Sequence, residues 1–261
     1  MRIGAINSLS TAITAFALSS GATFPNVTIP SFEMLAANCR IQAGGVHVVY
    51  YNYVTDENRA GYEAYANASR HWIGPAFQHE MKQRNQQDNE YDMTRQGDRD
   101  LQQMKKNYSY SIYGPKGPET EGPGPYLTAW QMSPVLPKAP VVNLNVLSRP
   151  DTRASMLAAI SSEKMVLGMA SELSVNIKGN ISASSIHKTF LKLGQFRHDN
   201  SEYEQGDPTS GIIYPVFDSF DKKNRSLAGM LNVPIYWRLT FTDLLPEIAR
   251  GLVVVMSNTH H

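Results

Sequence analysis

Apolar residues recur near helical spacing at Ile3, Ile6, Leu9, Ile13, Phe16 and Leu18, interleaved with Asn7, Ser8, Ser10, Thr11 and Thr14. The stripe predicts an amphipathic helix over Met1 to Ala22, too polar to cross a bilayer alone. Two readings of it stand: a signal peptide with Arg2 as its charged start and Ser20-Gly-Ala22 near a cleavage site, or a juxtamembrane signalling helix over residues 1–23 that follows a membrane span. Pro25 and Pro30 interrupt the pattern. Ser31 to Gln42 then predicts a second helix, capped by Ser31 and stopped by Gly44-Gly45, with Phe32, Leu35 and Cys39 on one face. Val46 to Val54 is rich in β-branched and aromatic residues and predicts a buried strand. Thr55 caps the next helix, with Asp56 and Glu57 in the first turn where the helix dipole favours negative charge. That helix runs through Tyr62, Tyr65, Ser69 and Trp72 to a breaker at Gly74-Pro75.

From Gln78 to Lys106 the chain is almost devoid of aliphatic residues, which predicts a solvated helix or a mobile polar insertion at 78–106. Tyr108 to Tyr113 reads as a short strand, Gly114 to Pro125 as a Pro/Gly loop, and Tyr126 to Met132 as a second main strand. Val141 to Leu147 alternates in part, and Pro150-Asp151 opens a helix to Lys164. Met165 to Ile177 supplies a further strand. A strand at Ile212 to Phe217, a turn at Asp221 to Arg225, a strand at Leu227 to Ile235, a helix at Trp237 to Leu245 and a strand at Leu252 to Met256 complete the series. Grouped strands with hairpin-like spacing predict an α+β domain with an antiparallel sheet, and not a doubly wound one.

Composition narrows the function classes. The 24 Lys and Arg balance 23 Asp and Glu to a net charge of +1, which supplies no field toward phosphate backbones or anionic lipid, so nucleic acid is not an expected partner. One cysteine, Cys39, makes no internal disulfide, and no Cys/His cluster at ligand spacing marks a zinc site. Five N-x-[ST] sequons, at Asn26, Asn67, Asn107, Asn180 and Asn224, exceed the roughly two or three that chance gives and lean toward a secreted or luminal setting. P-loop, HExxH, nucleophile-elbow and dinucleotide fingerprints are absent from the sequence, so neither catalysis nor a cofactor is expected.

Several segments carry a resemblance. They are Phe24-Pro-Asn-Val-Thr-Ile-Pro-Ser-Phe-Glu33, Val54-Thr-Asp-Glu-Asn-Arg59 with Trp72-Ile-Gly74, Trp130-Gln-Met132, Asn143-Leu-Asn-Val-Leu-Ser-Arg-Pro150, Pro215-Val-Phe-Asp-Ser-Phe220 and Gly251-Leu-Val-Val-Val-Met-Ser-Asn258. In this order they resemble the region between the transmembrane helices of diatom receptor-type adenylate or guanylate cyclases, over about 24–258. The resemblance implies a CHASE-like extracellular sensor domain, with a PAS-like antiparallel sheet behind a long membrane-proximal helix and a cytoplasmic cyclase as its output. It also implies tethering to the plasma membrane and an unidentified small-molecule ligand. The chain departs from the family at its end, where a cysteine often follows the Asn-Thr step and Asn258-Thr-His-His261 stands instead. A disulfide from Cys39 to that position therefore has no partner residue there.

In PAS-like sensors the ligand lies against the sheet, between aromatic walls and a few orienting polar groups. Strand placement nominates Tyr126, Trp130, Met132, Asn143, Asn145, Tyr214, Phe217 and Asp218 as that lining. The competing reading makes Trp130, Met132 and Phe217 ordinary core, and Asp218 with Asp221 a turn cap before Lys222-Lys223-Asn224-Arg225. Asn143 and Asn145 must find hydrogen bonds from a loop or from a ligand. His47, between Val46 and Val48, reads as a core histidine, and Arg70 and His71 as charges at a helix end. The amphipathic N-terminal stripe is expected to form a homodimer contact, because an exposed apolar edge seeks a partner. An extracellular protein-binding or adhesion module of the same fold is the principal rival, and a secreted hydrolase a third reading.

Overall fold

The computed structural model describes residues 2–85, 109–114, 117–118, 123–135, 141–168, 171–172, 208–237 and 240. Its helices are α1 (Arg2–Ser20), α2 (Phe32–Ala43), α3 (Asp56–Ala68), α4 (Ile73–Asn85) and α5 (Pro150–Ser162). The strands are β1 (Val48–Val54), β2 (Tyr113–Gly114), β3 (Gly117–Pro118), β4 (Tyr126–Ser133), β5 (Val166–Leu167), β6 (Ser171–Glu172), β7 (Pro208–Phe217) and β8 (Leu227–Tyr236). The expected strand at 252–256, most of the helix after Trp237, the polar stretch beyond Asn85 and residues 173–177 lie outside the described residues.

The fold is α+β: a long N-terminal helix, an antiparallel sheet in the order β4-β1-β8-β7-β5, with β6 also on β7, and flanking helices. The first main strand therefore sits in the interior, between the second and the last. Register assigns its two faces. Tyr50 pairs with Leu231 and Asn52 with Gly229, and on β7 Tyr214 pairs with Leu231 and Val216 with Gly229. These residues share the face covered by helices, because Phe32 of α2 meets the Tyr50 ring at 6.4 Å and the Tyr214 hydroxyl donates to Asn7 Oδ1 of α1 at 2.7 Å. Val49, Tyr51, Met132 and Met230 look the other way, where Tyr51 lies in the field of Arg149 and Asp151 at the start of α5.

The α1 helix does more than lie on the sheet. Ile6, Leu9, Ile13 and Ala17 are buried in the chain's own core, so the stripe proposed from sequence is occupied within the molecule, leaving Ile3 and Leu18 outside. On its flank the Ser10 hydroxyl donates to Pro215 O at 2.9 Å and the Thr14 hydroxyl to Phe217 O at 2.7 Å. Four helical residues rise about 6 Å and two strand residues about 6.6 Å, so the two spacings match. Pro215 has no N–H to offer, and the hydroxyls of α1 close the stretch of β7 beyond its β5 pairing, an edge that would otherwise invite another strand.

Local expectations meet four corrections. Of the strand expected at Tyr108 to Tyr113, only Tyr113 among the described residues is a strand residue, in the two-residue β2 that pairs with β3. Ser31 is left-handed, with φ 52° and no side-chain cap hydrogen bond, so the cap expected of it is not made. Leu35 is 41% exposed, because the buried face of α2 runs through Phe32, Ala36, Cys39, Arg40 and Ala43. Gly74-Pro75 does not break the chain: both fall in the first turn of α4, where a missing N–H costs no helical hydrogen bond. Gly44, at φ 65°, ends α2 as expected, its N–H turned back to Arg40 O and Ile41 O. Thr14→Val keeps the side chain's shape and removes its hydroxyl. It is expected to lower the unfolding free energy by about 1 kcal/mol in urea denaturation, and an unchanged midpoint would show that α1 does not close this edge.

Candidate functional site

A bulge in β4 governs what faces the helices. Tyr50 pairs with Gln131 and Tyr51 with Ala129, leaving Trp130 as the extra residue. Trp130 and Gln131 thus both turn to the helix side. The Gln131 amide exchanges two hydrogen bonds with the backbone of Ile29, at 2.8 and 3.0 Å. Trp130 enters an aromatic group, with ring centroids 6.2 Å from Tyr62, 5.9 Å from Tyr65 and 5.8 Å from Trp72. Its Nε1 donates to Thr28 Oγ1 at 3.1 Å, and that hydroxyl shares a 2.6 Å hydrogen bond with Tyr65.

Beside these rings lies a polar cluster on the sheet floor. Asn52 and Thr128 are register partners on adjacent strands, and both are 0% exposed. Neither amide atom of Asn52, nor Thr128 Oγ1, nor the Tyr50 hydroxyl has a hydrogen-bond partner among the described residues. Trp72 Nε1, in the aromatic group, is in the same state. Gly229 makes room for the cluster. A Cβ there would stand 2.8 Å from Tyr50 Cε2 and 3.3 Å from its hydroxyl, and would collide with Tyr51 O, so the tyrosine ring lies across the glycine opposite Asn52. The Tyr62 hydroxyl lies close enough to Thr128 and Asn52 for both to act on it as polar neighbours, but neither contact has the geometry of a formed hydrogen bond, and its own proton goes to Asn143 Oδ1 at 3.0 Å. Each buried polar group left without a partner costs about 1–3 kcal/mol, so four such atoms on one floor, with the indole N–H nearby, call for an occupant that can hydrogen-bond to them, water or ligand.

The electrostatics of the cluster are those of an uncharged site. Burial, then the neighbouring Tyr62 and Tyr65, hold the Tyr50 hydroxyl well above the usual phenol range, and burial does the same at Tyr62. Both stay protonated donors. The charged residues of α3 stand apart: Arg59 donates to Tyr126 and Glu63 at 2.9 and 3.1 Å, and the Tyr126 hydroxyl donates to Asp56 at 3.0 Å. Asp56 also accepts from Gly124 N at 2.8 Å, and Glu63 from Ile112 N at 3.0 Å. That network ties the loop before β4 to α3.

The eight residues nominated from sequence are dispersed. Trp130 joins the aromatic group, and Asn143 reaches its border through Tyr62, with its amide donating to Ser109 O at 3.0 Å. Asn143 takes a left-handed φ of 66° beside the β4 edge. Asn145 Oδ1 accepts from Leu127 N at 3.1 Å and Leu147 N at 3.2 Å, a local backbone clasp. Met132 is buried on the opposite face, and Tyr126 sits in the Asp56–Arg59 network. Tyr214 binds α1, Phe217 lies under the Arg225 guanidinium at 3.5 Å, and Asp218 Oδ1 accepts from Ser226 N at 2.7 Å as a hairpin cap. Tyr50, Asn52, Tyr62 and Thr128 were missed. An amide in the middle of Val48-Val-Tyr-Tyr-Asn-Tyr-Val54 was the available signal, because a buried strand has few ways to satisfy it.

The one cysteine is inert. Burial pushes the Cys39 thiol up to about 12, which leaves it protonated. Among the described residues no group of three or more His, Cys, Asp or Glu stands together as a metal site requires. No family model matches the chain, and no curated protein sequence matches it.

The Nδ1 of His47 is buried even though part of the residue reaches the surface. Burial first, then Arg40 and Arg149, bring its pKa down from 6.5 to about 3. Between those values the unfolded chain binds a proton that the folded chain does not, so stability is complete above pH 6.5 and is lost as pH falls toward 3. The loss is expected to reach on the order of 1 kcal/mol per pH unit. Urea denaturation at pH 7 and pH 5 should show a smaller difference in His47→Gln than in the parent, and equal differences would remove His47 as the cause.

Proposed function

We propose that the chain is the extracellular ligand-sensing domain of a transmembrane receptor nucleotide cyclase, of the CHASE-like, PAS-like type. In this reading it acts as a sensor and carries no catalysis of its own. A small molecule binds on the helix-facing side of the sheet, and its occupancy is signalled through α1. The observation that carries the reading is the cluster of fully buried, unpartnered polar atoms on Asn52, Thr128 and Tyr50, walled by aromatic rings. Binding sites pair apolar walls with a few such orienting groups.

The connectivity supports a relay. A ligand touching Asn52 bears on β1; β1 is paired to β8, β8 to β7, and β7 carries α1 through Ser10, Thr14 and the Asn7–Tyr214 hydrogen bond. A ligand that prefers one setting of that ladder shifts α1, and the shift scales with its differential affinity for the two settings. Contrary to the expectation from its hydroxyl-rich sequence, α1 is long and apolar enough to cross a membrane by length and composition, a test that core helices and signal sequences also meet, and its buried face lies in the domain's own core. The homodimer contact of this reading uses the face that α1 and α2 leave open, with Ile3, Leu18, Met34, Leu35 and Ile41.

That same uncharged face supports the second reading, a protein-binding or adhesion module without a small-molecule ligand. A thermal-shift screen of the domain against amino acids, purines, small peptides and organic acids separates the two. A ligand at a hundred times its Kd adds about 2.7 kcal/mol, a rise of several degrees for a domain of this size. The sensor reading expects a saturable rise that Asn52→Leu abolishes. A folded protein with no rise across the panel would move the weight to the protein-binding module.

A further inference from the structure

We propose that the Asn52 site selects an uncharged molecule presenting an amide-like edge, with a donor beside an acceptor, as in a primary carboxamide, a cyclic imide or a nucleobase. The proposal rests on the ligand-sensing reading and names the ligand class it would take.

Three observations lead to it. Among the described residues neither end of the Asn52 amide makes a well-formed hydrogen bond, at 0% exposure, although the Tyr62 hydroxyl lies beside it. A carboxamide side chain so placed offers one acceptor and two donor hydrogens in a plane, and another amide edge is its complement, by the two-point geometry with which asparagine reads a base edge. Thr128 and Tyr50 add hydroxyls that donate or accept according to what arrives.

The second observation is that, among the described residues, no counter-charge acts on the Tyr50 hydroxyl. The groups acting on the Tyr50 hydroxyl are the phenols of Tyr62 and Tyr65, and no ionised side chain is among them. Glu63, whose charge reaches the Tyr62 hydroxyl, is held by Arg59 and Ile112 N, and Arg59 also donates to Tyr126. An ionised ligand would lose its hydration with nothing of opposite sign to replace it, a far larger penalty than a neutral amide meets.

The third is the wall. Tyr62 and Trp72 meet the Trp130 ring edge-on, with centroids at 6.2 and 5.8 Å, and give the polar floor an aromatic border. Ordered water is the competing occupant, since one molecule satisfies two to four such atoms.

Matched pairs isolate charge from shape. Nicotinamide with nicotinate, and benzamide with benzoate, are titrated into the whole domain at pH 7 by calorimetry, alongside uracil and glycine. At least one neutral member is expected to bind saturably and at least tenfold more tightly than its carboxylate twin. Thr128→Val and Tyr50→Phe, which keep shape and remove one hydroxyl each, should each weaken it about tenfold, and Asn52→Asp should abolish it. Binding of the carboxylates or glycine as tightly as the neutral probes, still lost in Asn52→Asp, would overturn the ligand class and leave the sensing reading standing. No binding by any probe would overturn the proposal. In that case a Thr128→Val melting temperature below the parent's would assign the cluster to ordered water, and one above it would make the cluster a dry defect and remove the support for sensing at this site.

Discussion

The register of β1 against β4 and β8 is the constraint on which the rest of the molecule depends. Side chains alternate strictly along a strand, so a slip of one residue would send Tyr50 and Asn52 to the α5 side and bring Val49 and Tyr51 under the helices. The observed register sets Asn52 between Thr128 and Gly229, the one neighbour supplying a hydroxyl and the other supplying room. The β4 bulge then spends its extra residue turning Trp130 toward α3 without moving Met132 from the opposite face. Every feature of the candidate site follows from those two settings: the aromatic group, the polar floor and the border at Tyr62.

The helix layer is tied to the sheet unevenly, and the asymmetry matters for function. Above β1 and β4, Gln131 and Trp130 bind the chain between α1 and α2 through Ile29 and Thr28. Above β7, the α1 hydroxyls bind strand carbonyls directly. The interval between these attachments is spanned by β1 and β8, and the polar atoms of Tyr50 and Asn52 on β1, with Thr128 on β4, lie at its start. A molecule that satisfied them would add hydrogen bonds on the path joining the aromatic group to α1, and would bias the relation between sheet and helix by its differential affinity for the two settings.

Much of the architecture was legible in the sequence because periodicity is local. The α1 stripe, the apolar run of β1, the Pro150 start of α5 and the hairpin around Asp221 each follow from a few neighbouring residues. What was not legible depended on distant ones. Leu35 faces out because the buried face of α2 runs through Phe32 and Ala36, with Phe32 against Tyr50 of β1, and Gly74-Pro75 is harmless because α4 begins one residue before it. The candidate site was partly legible. Trp130 stood out as a large aromatic on a strand, whereas Asn52 acquires meaning only once Thr128 and Gly229 are its neighbours. Asn145 attracted notice for the same polar character, and it proved to be used up by Leu127 N and Leu147 N.

The central claim is that the Asn52 amide is completed by a bound molecule. It is tested most directly by the side-chain NH2 resonances of Asn52 in a nitrogen–proton correlation spectrum, assigned by their loss in Asn52→Leu. The account predicts that a neutral carboxamide shifts both protons saturably, slows their exchange with solvent, and gives nuclear Overhauser contacts between the ligand and the Trp130 ring. Asn52 protons that stay unmoved while another part of the domain responds to the same ligand would contradict it.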